Sequence, residues 1–200
     1  VVGLVWYVSY GSNLHAGRFD CYLSGGTPPG ATRCYPGCRD RTPPRAVRPW
    51  ELPGGVYFTT HSPVWDGGRA FYDPSLPGVA VGRAYLVTTG QFSDVAAQEM
   101  YRAPGEDLDL SGVLATGRAE LGPGRYETLV KVGEADGRPA LTFTAPWRAD
   151  EVRHTRPSAA YLRMLAGGLR ETLAWQPEQA AAHLASTTPF WTAGEILGLL

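Results

Sequence analysis

The sequence predicts an α+β protein: a mixed sheet, curling towards a partial barrel, with helices packed around it. Three observations predict it. Aromatic and β-branched runs broken by turn signals dominate residues 55–144, helical periodicity takes over from Ala159, and one strand–turn–helix stands at the front. The 200 residues suit a single domain over 1–200 with a sizeable core, and 44% hydrophobic residues exclude disorder as the main state.

Val5-Trp6-Tyr7-Val8-Ser9-Tyr10 reads as the first strand and stops at Gly11. Ser12 and Asn13 then cap a short helix from about Leu14 to Leu23. Residues 24–54, rich in Gly, Pro and Arg, read as a long irregular connection. Strands are expected at Gly55–Thr60, Arg69–Tyr72 after Asp66-Gly67-Gly68, and Val79–Thr88. A helix follows from about Asp94 to Tyr101, with Ser93 as its cap. Arg125–Val132 and Ala140–Thr144 flank Asp136-Gly137, a hairpin signal with a loop longer than two residues. The C-terminal part, 158–200, carries helices at Ala159–Trp175, about 178–186 and 193–199.

Composition narrows the partner. Lys and Arg total 18 against 19 Asp and Glu, so the net charge of -1 offers no broad footprint for nucleic acid or an anionic membrane. No apolar run reaches the length of a bilayer span. A small-molecule partner is expected, and no self-complementary surface indicates an oligomeric state. The opening Val1-Val2-Gly3-Leu4-Val5 lacks a basic n-region and runs straight into patterned sequence, so a cytoplasmic location is expected. Cys21, Cys34 and Cys38 are too few for a disulfide framework. Cys34 and Cys38 with His15 are weak metal candidates at unsuitable spacing, so no metal and no cofactor are expected. His15, His61, His154 and His183 stand far apart, and no phosphate-loop, dinucleotide-binding, zinc-protease or serine-elbow motif is present.

Two features carry chemistry on physical grounds. At Tyr10-Gly11-Ser12-Asn13-Leu14 a strand turns sharply into a helix, where glycine permits close backbone approach and first-turn N–H groups favour an anion. The structural alternative is an ordinary capped turn. The second is Glu99, which falls on the apolar stripe of Phe92, Val95 and Ala96 at the i+7 position. A carboxylate there suits proton transfer, or else a salt bridge to one of the arginines. Arg18 can pair with a carboxylate, although a solvated helix surface is the expectation for it. Trp147, Trp175 and Trp191 read as packing residues. Arg33, Arg39, Arg41 and Arg45 make the long connection locally positive, to meet an acidic leaving group or to keep a loop soluble.

Taken together these residues resemble the γ-glutamylcyclotransferase-like family. Tyr10–Leu14 resembles its Y-G-S-N-L loop, and Trp65-Asp66-Gly67-Gly68-Arg69-Ala70 its W-x-G-G-x-A segment. Val81-Gly82-Arg83-Ala84-Tyr85 resembles its glycine-containing strand, Gln98-Glu99-Met100 its x-E-G segment, and Pro157-Ser158-Ala159-Ala160-Tyr161 its P-S-x-x-Y element. A glycine follows at Gly167 or Gly168, and order and spacing hold from about residue 5 to 172. The resemblance implies that Tyr10, Gly11, Ser12, Asn13 and Leu14 bind the α-carboxylate and amino end of a γ-glutamyl group. It implies Glu99 as general base then acid, and Tyr161 as a hydroxyl orienting substrate or Glu99. The implied reaction is cofactor-independent release of 5-oxoproline from a γ-glutamyl amide. Met100 departs from the family's glycine. A non-catalytic binding protein that retains the pocket is the alternative.

Overall fold

The computed structural model describes residues 3–28 and 33–200. Val1, Val2 and residues 29–32, among them Pro29-Gly30 of the long connection, lie outside the described residues. Strand β1 (Leu4–Ser9) leads through a three-residue 3-10 turn (Ser12–Leu14) into helix α1 (Ala16–Ser24). Strands β2 (Ala46–Pro53), β3 (Gly55–Ser62), β4 (Gly67–Asp73) and β5 (Val79–Thr88) follow, then α2 (Thr89–Glu99), α3 (Ser111–Thr116) and β6 (Arg118–Glu120). Strands β7 (Thr128–Ala135) and β8 (Arg138–Thr144) precede α4 (Ala159–Leu173), α5 (Pro177–Ser186) and α6 (Ala193–Leu197). The fold is α+β, as the sequence predicts. A six-stranded sheet has the order β2-β5-β1-β8-β7-β6, and β3 pairs with β4 in a separate two-stranded sheet. The large sheet is mixed: β1 runs parallel to β8 with Tyr7 opposite Leu141, whereas β7 is antiparallel to β6 and β8.

Several boundaries differ from the sequence reading. The expected cap at Ser12-Asn13 is absent: Gly11 precedes the 3-10 turn, no side chain caps it, and α1 starts two residues after Leu14. Asn13 and Leu14 are instead buried within the turn. The connection over 24–54 is not wholly irregular, because β2 occupies its end. Pro49 and Pro53 disguise this strand; they are tolerated because β2 lies at the sheet's edge, where unpaired N–H positions are no loss. Helix α2 begins at Thr89, well before the expected Asp94. Thr88 caps it, accepting from Gln91 N–H at 3.0 Å while the Gln91 side chain accepts from Thr88 N–H at 3.0 Å. Ser93 is interior, donating to the Thr89 carbonyl at 2.8 Å. The hairpin loop is two residues, not longer: Asp136 and Gly137 have φ of 54° and 66°, the two positive values that a tight right-twisted hairpin requires. The α3–β6 segment has no counterpart in the sequence reading.

The chain forms two compact units. One comprises the residues up to Ser9, Gly17–Arg48 and Ala84–Pro146; the other comprises Tyr10–Ala16, Pro49–Arg83 and Trp147–Leu200. The core of the former is aromatic. Phe19 stacks on Tyr85 at 3.9 Å, and Tyr7 on Phe143 at 5.3 Å, with the buried Phe92, Val95 and Ala96 of α2 packed in the same cluster. The latter is built on α4, whose buried Tyr161, Leu162, Leu165, Ala166 and Leu169 recur at helical spacing. Ser158 caps α4 by accepting from Tyr161 N–H at 3.1 Å. No helix among the described residues is long and apolar enough to cross a membrane.

Candidate functional site

The unit containing Tyr10–Ala16 gathers four of the sequence motifs. Tyr10 is buried and its ring lies 5.9 Å from that of Tyr72. Gly11 follows at close quarters: a β-carbon there would stand 3.4 Å from the Tyr161 hydroxyl. Ser12 is half-buried. Leu14 and His15 press on α4, where a β-carbon at Gly168 would come within 2.5 Å of Leu14 Cβ and 2.6 Å of His15 N. Only glycine fits that approach. The exit of the loop is clamped by a polar group that sequence inspection missed. Arg83 Nη1 donates to the Leu14 carbonyl at 3.2 Å and to Glu171 at 3.1 Å, and Glu171 also accepts from Ala16 N–H at 3.0 Å. His15 lies 3.2 Å from the same carboxylate, so it belongs to this clamp and not to a cysteine pair.

Tyr161 is fixed from its other side. Its ring stacks on Trp65 at 4.9 Å and meets Phe58 edge-on at 6.0 Å. The paired glycines after Trp65 have the same steric reason as Gly168. A β-carbon on Gly68 would stand 2.3 Å from the Thr155 carbonyl oxygen, and one on Gly67 2.7 Å from Ser158 N. The strand can therefore lie flat against residues 155–158, and Gly68 N–H donates to the Arg156 carbonyl at 2.8 Å. Trp191 Nε1 holds the Pro157 carbonyl at 2.9 Å. The Y-G-S-N-L loop, the W-x-G-G segment, the P-S-x-x-Y element and the later glycine thus act as one packed assembly. A small apolar cavity beside it is lined by Tyr10, Leu14, Phe58, Leu165, Leu169 and His183, among others.

Glu99 belongs to the other unit, as the last residue of α2. It is half-buried, one turn beyond the fully buried Phe92, Val95 and Ala96 stripe. Met100 continues the backbone at φ -77°, a region open to any residue, so the departure from glycine costs no strain. The buried Gln98 holds the neighbourhood, donating to the Tyr22 carbonyl at 2.9 Å and accepting from Gly37 N–H at 3.3 Å.

Arg18 corrects an expectation. It is not a solvated surface residue: its guanidinium is buried, lies 4.7 Å from the Tyr35 ring centroid and 5.4 Å from that of Tyr22, and donates to the Tyr35 hydroxyl at 2.5 Å. Burial works against its charge, but Tyr22, Tyr35 and Glu99 outweigh burial and raise its pKa. Burial pushes the Tyr22 phenol well above its usual range, with the Glu99 carboxylate adding to the effect. The Glu99 carboxylate is thus one of the groups that favour the charged form of Arg18. The available signal was the spacing of Arg18 between Leu14 and Tyr22 on an otherwise apolar helix face. Arg39 is likewise structural, bonding Asp94 at 3.0 Å and Asp107 at 2.5 Å. Cys38 is buried, donates to the Tyr22 carbonyl at 3.4 Å, and burial pushes its thiol up to about 12.

No protein-family model matches the chain. Histone deacetylase 5 of Arabidopsis thaliana is 31% identical over 199 residues, covering 90% of this chain; the chain spans 30% of that protein's length. Among solved structures, a gamma-glutamyl cyclotransferase aligns with 98% of both chains at a TM-score of 0.53 and 14% identity. An uncharacterized protein from Homo sapiens aligns over 98% of both chains with a TM-score of 0.54 and 16% identity. At these identities the likeness establishes the fold, which is the one that a gamma-glutamyl cyclotransferase adopts.

Proposed function

We propose that the protein is a cofactor-independent γ-glutamylcyclotransferase-type enzyme that releases 5-oxoproline and an amine or amino acid from a γ-glutamyl amide. The observation that carries this reading is the approach of Gly11 to the Tyr161 hydroxyl, with a β-carbon at the glycine only 3.4 Å away. It joins two motifs far apart in the chain around one polar group. The shared fold with a gamma-glutamyl cyclotransferase supports it as well.

The chemistry follows from the substrate. A γ-glutamyl amide carries its own nucleophile, since its α-amine folds back on the γ-carbonyl to close a five-membered lactam. Holding that conformer is worth roughly 7–11 kcal/mol of barrier. The Tyr10–Leu14 loop binds the α-carboxylate and amino end, and Tyr161 orients the bound group. At neutral pH the amine is an ammonium and cannot attack. Glu99 removes that proton, the amine nitrogen bonds to the carbonyl carbon, and the amide C–N bond breaks as Glu99 returns a proton to the departing nitrogen.

Mass detection of 5-oxoproline across a panel of γ-glutamyl amides tests the reading. Glu99→Gln is expected to lower kcat by about 10²–10⁴-fold, the usual contribution of positioned proton transfer. A full rate in Glu99→Gln would place the base elsewhere. Thermal stabilisation of the wild type by the amides with no product from any of them would identify a binding protein instead.

A further inference from the structure

The Tyr10–Leu14 loop does not fix its own shape. Its 3-10 turn is three residues long and no side chain caps it, and His15 beyond it is extended at ψ 120°, so the turn and α1 are separate pieces. Two backbone bonds close the turn, Leu14 N–H to the Gly11 carbonyl at 3.0 Å and His15 N–H to the Ser12 carbonyl at 3.1 Å. One carboxylate joins the pieces. Glu171 accepts from Ala16 N–H, the first of α1, at 3.0 Å and from Arg83 Nη1 at 3.1 Å, and the same Arg83 nitrogen donates to the Leu14 carbonyl at 3.2 Å. His15 Nε2 lies 3.2 Å from the other carboxylate oxygen. All of these residues belong to one unit. Gly167, Gly168 and Glu171 recur on α4 at three- and four-residue spacing, so the helix face that admits the loop also carries its acceptor. Val81 and Arg83 stand two apart on β5 and share a face, and Val81 lines the cavity beside Tyr10 and Leu14.

Glu171 also narrows where an outside anion can sit. It occupies the N-terminus of α1, the end that favours negative charge, and takes the Ala16 N–H. The N–H groups of Leu14 and His15 are engaged within the turn, whereas no hydrogen bond among the described residues engages the N–H of Gly11 or Ser12. Two N–H groups on a short turn grip an anion only while the turn keeps its pitch, and a loop already held in its bound shape has less freedom to lose on binding. We infer that Arg83 and Glu171 are positioning residues that hold the Tyr10–Leu14 loop ready for the γ-glutamyl end, and so set substrate affinity without taking part in the chemical step. The inference rests on the cyclotransferase reading of that loop.

Calorimetry with γ-glutamylalanine and steady-state kinetics compare the wild type with Arg83→Gln, Arg83→Lys, Glu171→Gln and the double variant Arg83→Gln/Glu171→Gln. Each single Gln variant is expected to weaken binding and raise KM by about tenfold, with kcat changed by less than about twofold. Arg83→Lys is expected to recover much of the affinity, because a single nitrogen of Arg83 bridges both acceptors. The double variant is expected to lose less than the product of the two single losses. A purely structural role would lower the melting temperature and leave the affinity of the folded protein unchanged, and that result overturns the inference, as does a fall in kcat at constant KM or an absence of binding by the wild type. Should a Gln variant fail to fold, amide exchange in the wild type decides. The Ala16 N–H is expected to exchange slowly before any ligand is added, and a fast Ala16 N–H that γ-glutamylalanine slows would show that Glu171 does not hold the loop in advance. Affinities that shift as expected with no 5-oxoproline formed would defeat the cyclotransferase reading alone.

Discussion

At the scale of single residues, the glycines explain more of the site than its polar groups do. Gly67, Gly68 and Gly168 each occupy a place where a β-carbon would fall inside the contact distance of neighbouring backbone. Gly168→Ala therefore forces Leu14 and His15 to shift, and is expected to cost about 1–3 kcal/mol in urea unfolding. Under the proposed function it also raises KM, because the displaced residues end the substrate loop. Gly194 is the contrasting case: it lies in α6 with open space around it, so Gly194→Ala is expected to leave stability unchanged or raise it by up to about 1 kcal/mol. A similar loss in both variants would show that the close approach is not what the glycine at 168 serves.

At the scale of elements, α2 separates the cap that stabilises a helix from the packing that holds its far end, where Glu99 lies. Thr88 and Gln91 fix its start reciprocally, and Gln91 Nε2 further donates to the carbonyls of Asp40 and Thr42 at 3.1 Å and 2.8 Å. This one residue thus ties the helix start to the end of the Arg39–Thr42 segment. Thr88→Ala is expected to lower stability by about 1 kcal/mol, measured by thermal or urea unfolding. Under the proposed function, activity per folded molecule stays constant, since Glu99 is three turns away and is held by the buried Phe92, Val95 and Ala96 stripe. A large loss of kcat without loss of stability would contradict this separation.

At the scale of the whole molecule, pH reports on how many polar groups the fold has committed. Burial alone would raise the Asp73 carboxyl, but bonds from the Ser75 hydroxyl at 2.6 Å and the Ala149 N–H at 2.9 Å outweigh burial and hold it below its ordinary value. Asp40, Asp109 and Glu195 are lowered in the same direction by hydrogen bonds from Thr42, Ser111 and Thr192. For these groups the unfolded chain binds protons first, so their stabilisation is complete above the ordinary carboxylate range and is lost as pH falls through the folded values. His183 is lowered by burial below 6.5, and its contribution is present above that value and declines as pH drops from it. Urea unfolding from pH 8 to pH 3 is therefore expected to weaken in two stages. His183→Gln should flatten the upper stage and Asp73→Asn should shrink the lower one; an unchanged profile in both would remove this account.

The sequence by itself determined the fold class and most of the elements. Strand β5 falls on the expected Val79–Thr88, α4 starts on the expected Ala159, and alternation, helical spacing and turn residues are local properties that neighbouring side chains impose on their own backbone. It also singled out the Tyr10–Leu14 loop, and the family resemblance added Tyr161, whose hydroxyl the fold brings to Gly11. Local pattern could not reveal β2, because an edge strand tolerates the prolines that elsewhere end a strand. Nor could it reveal that Arg18 is buried between aromatic rings, or that Arg83 and Glu171 clamp the loop's exit. Those outcomes depend on partners 17 to 155 positions away in the chain, and a charge is stable in a protein interior only where such distant partners arrive to meet it.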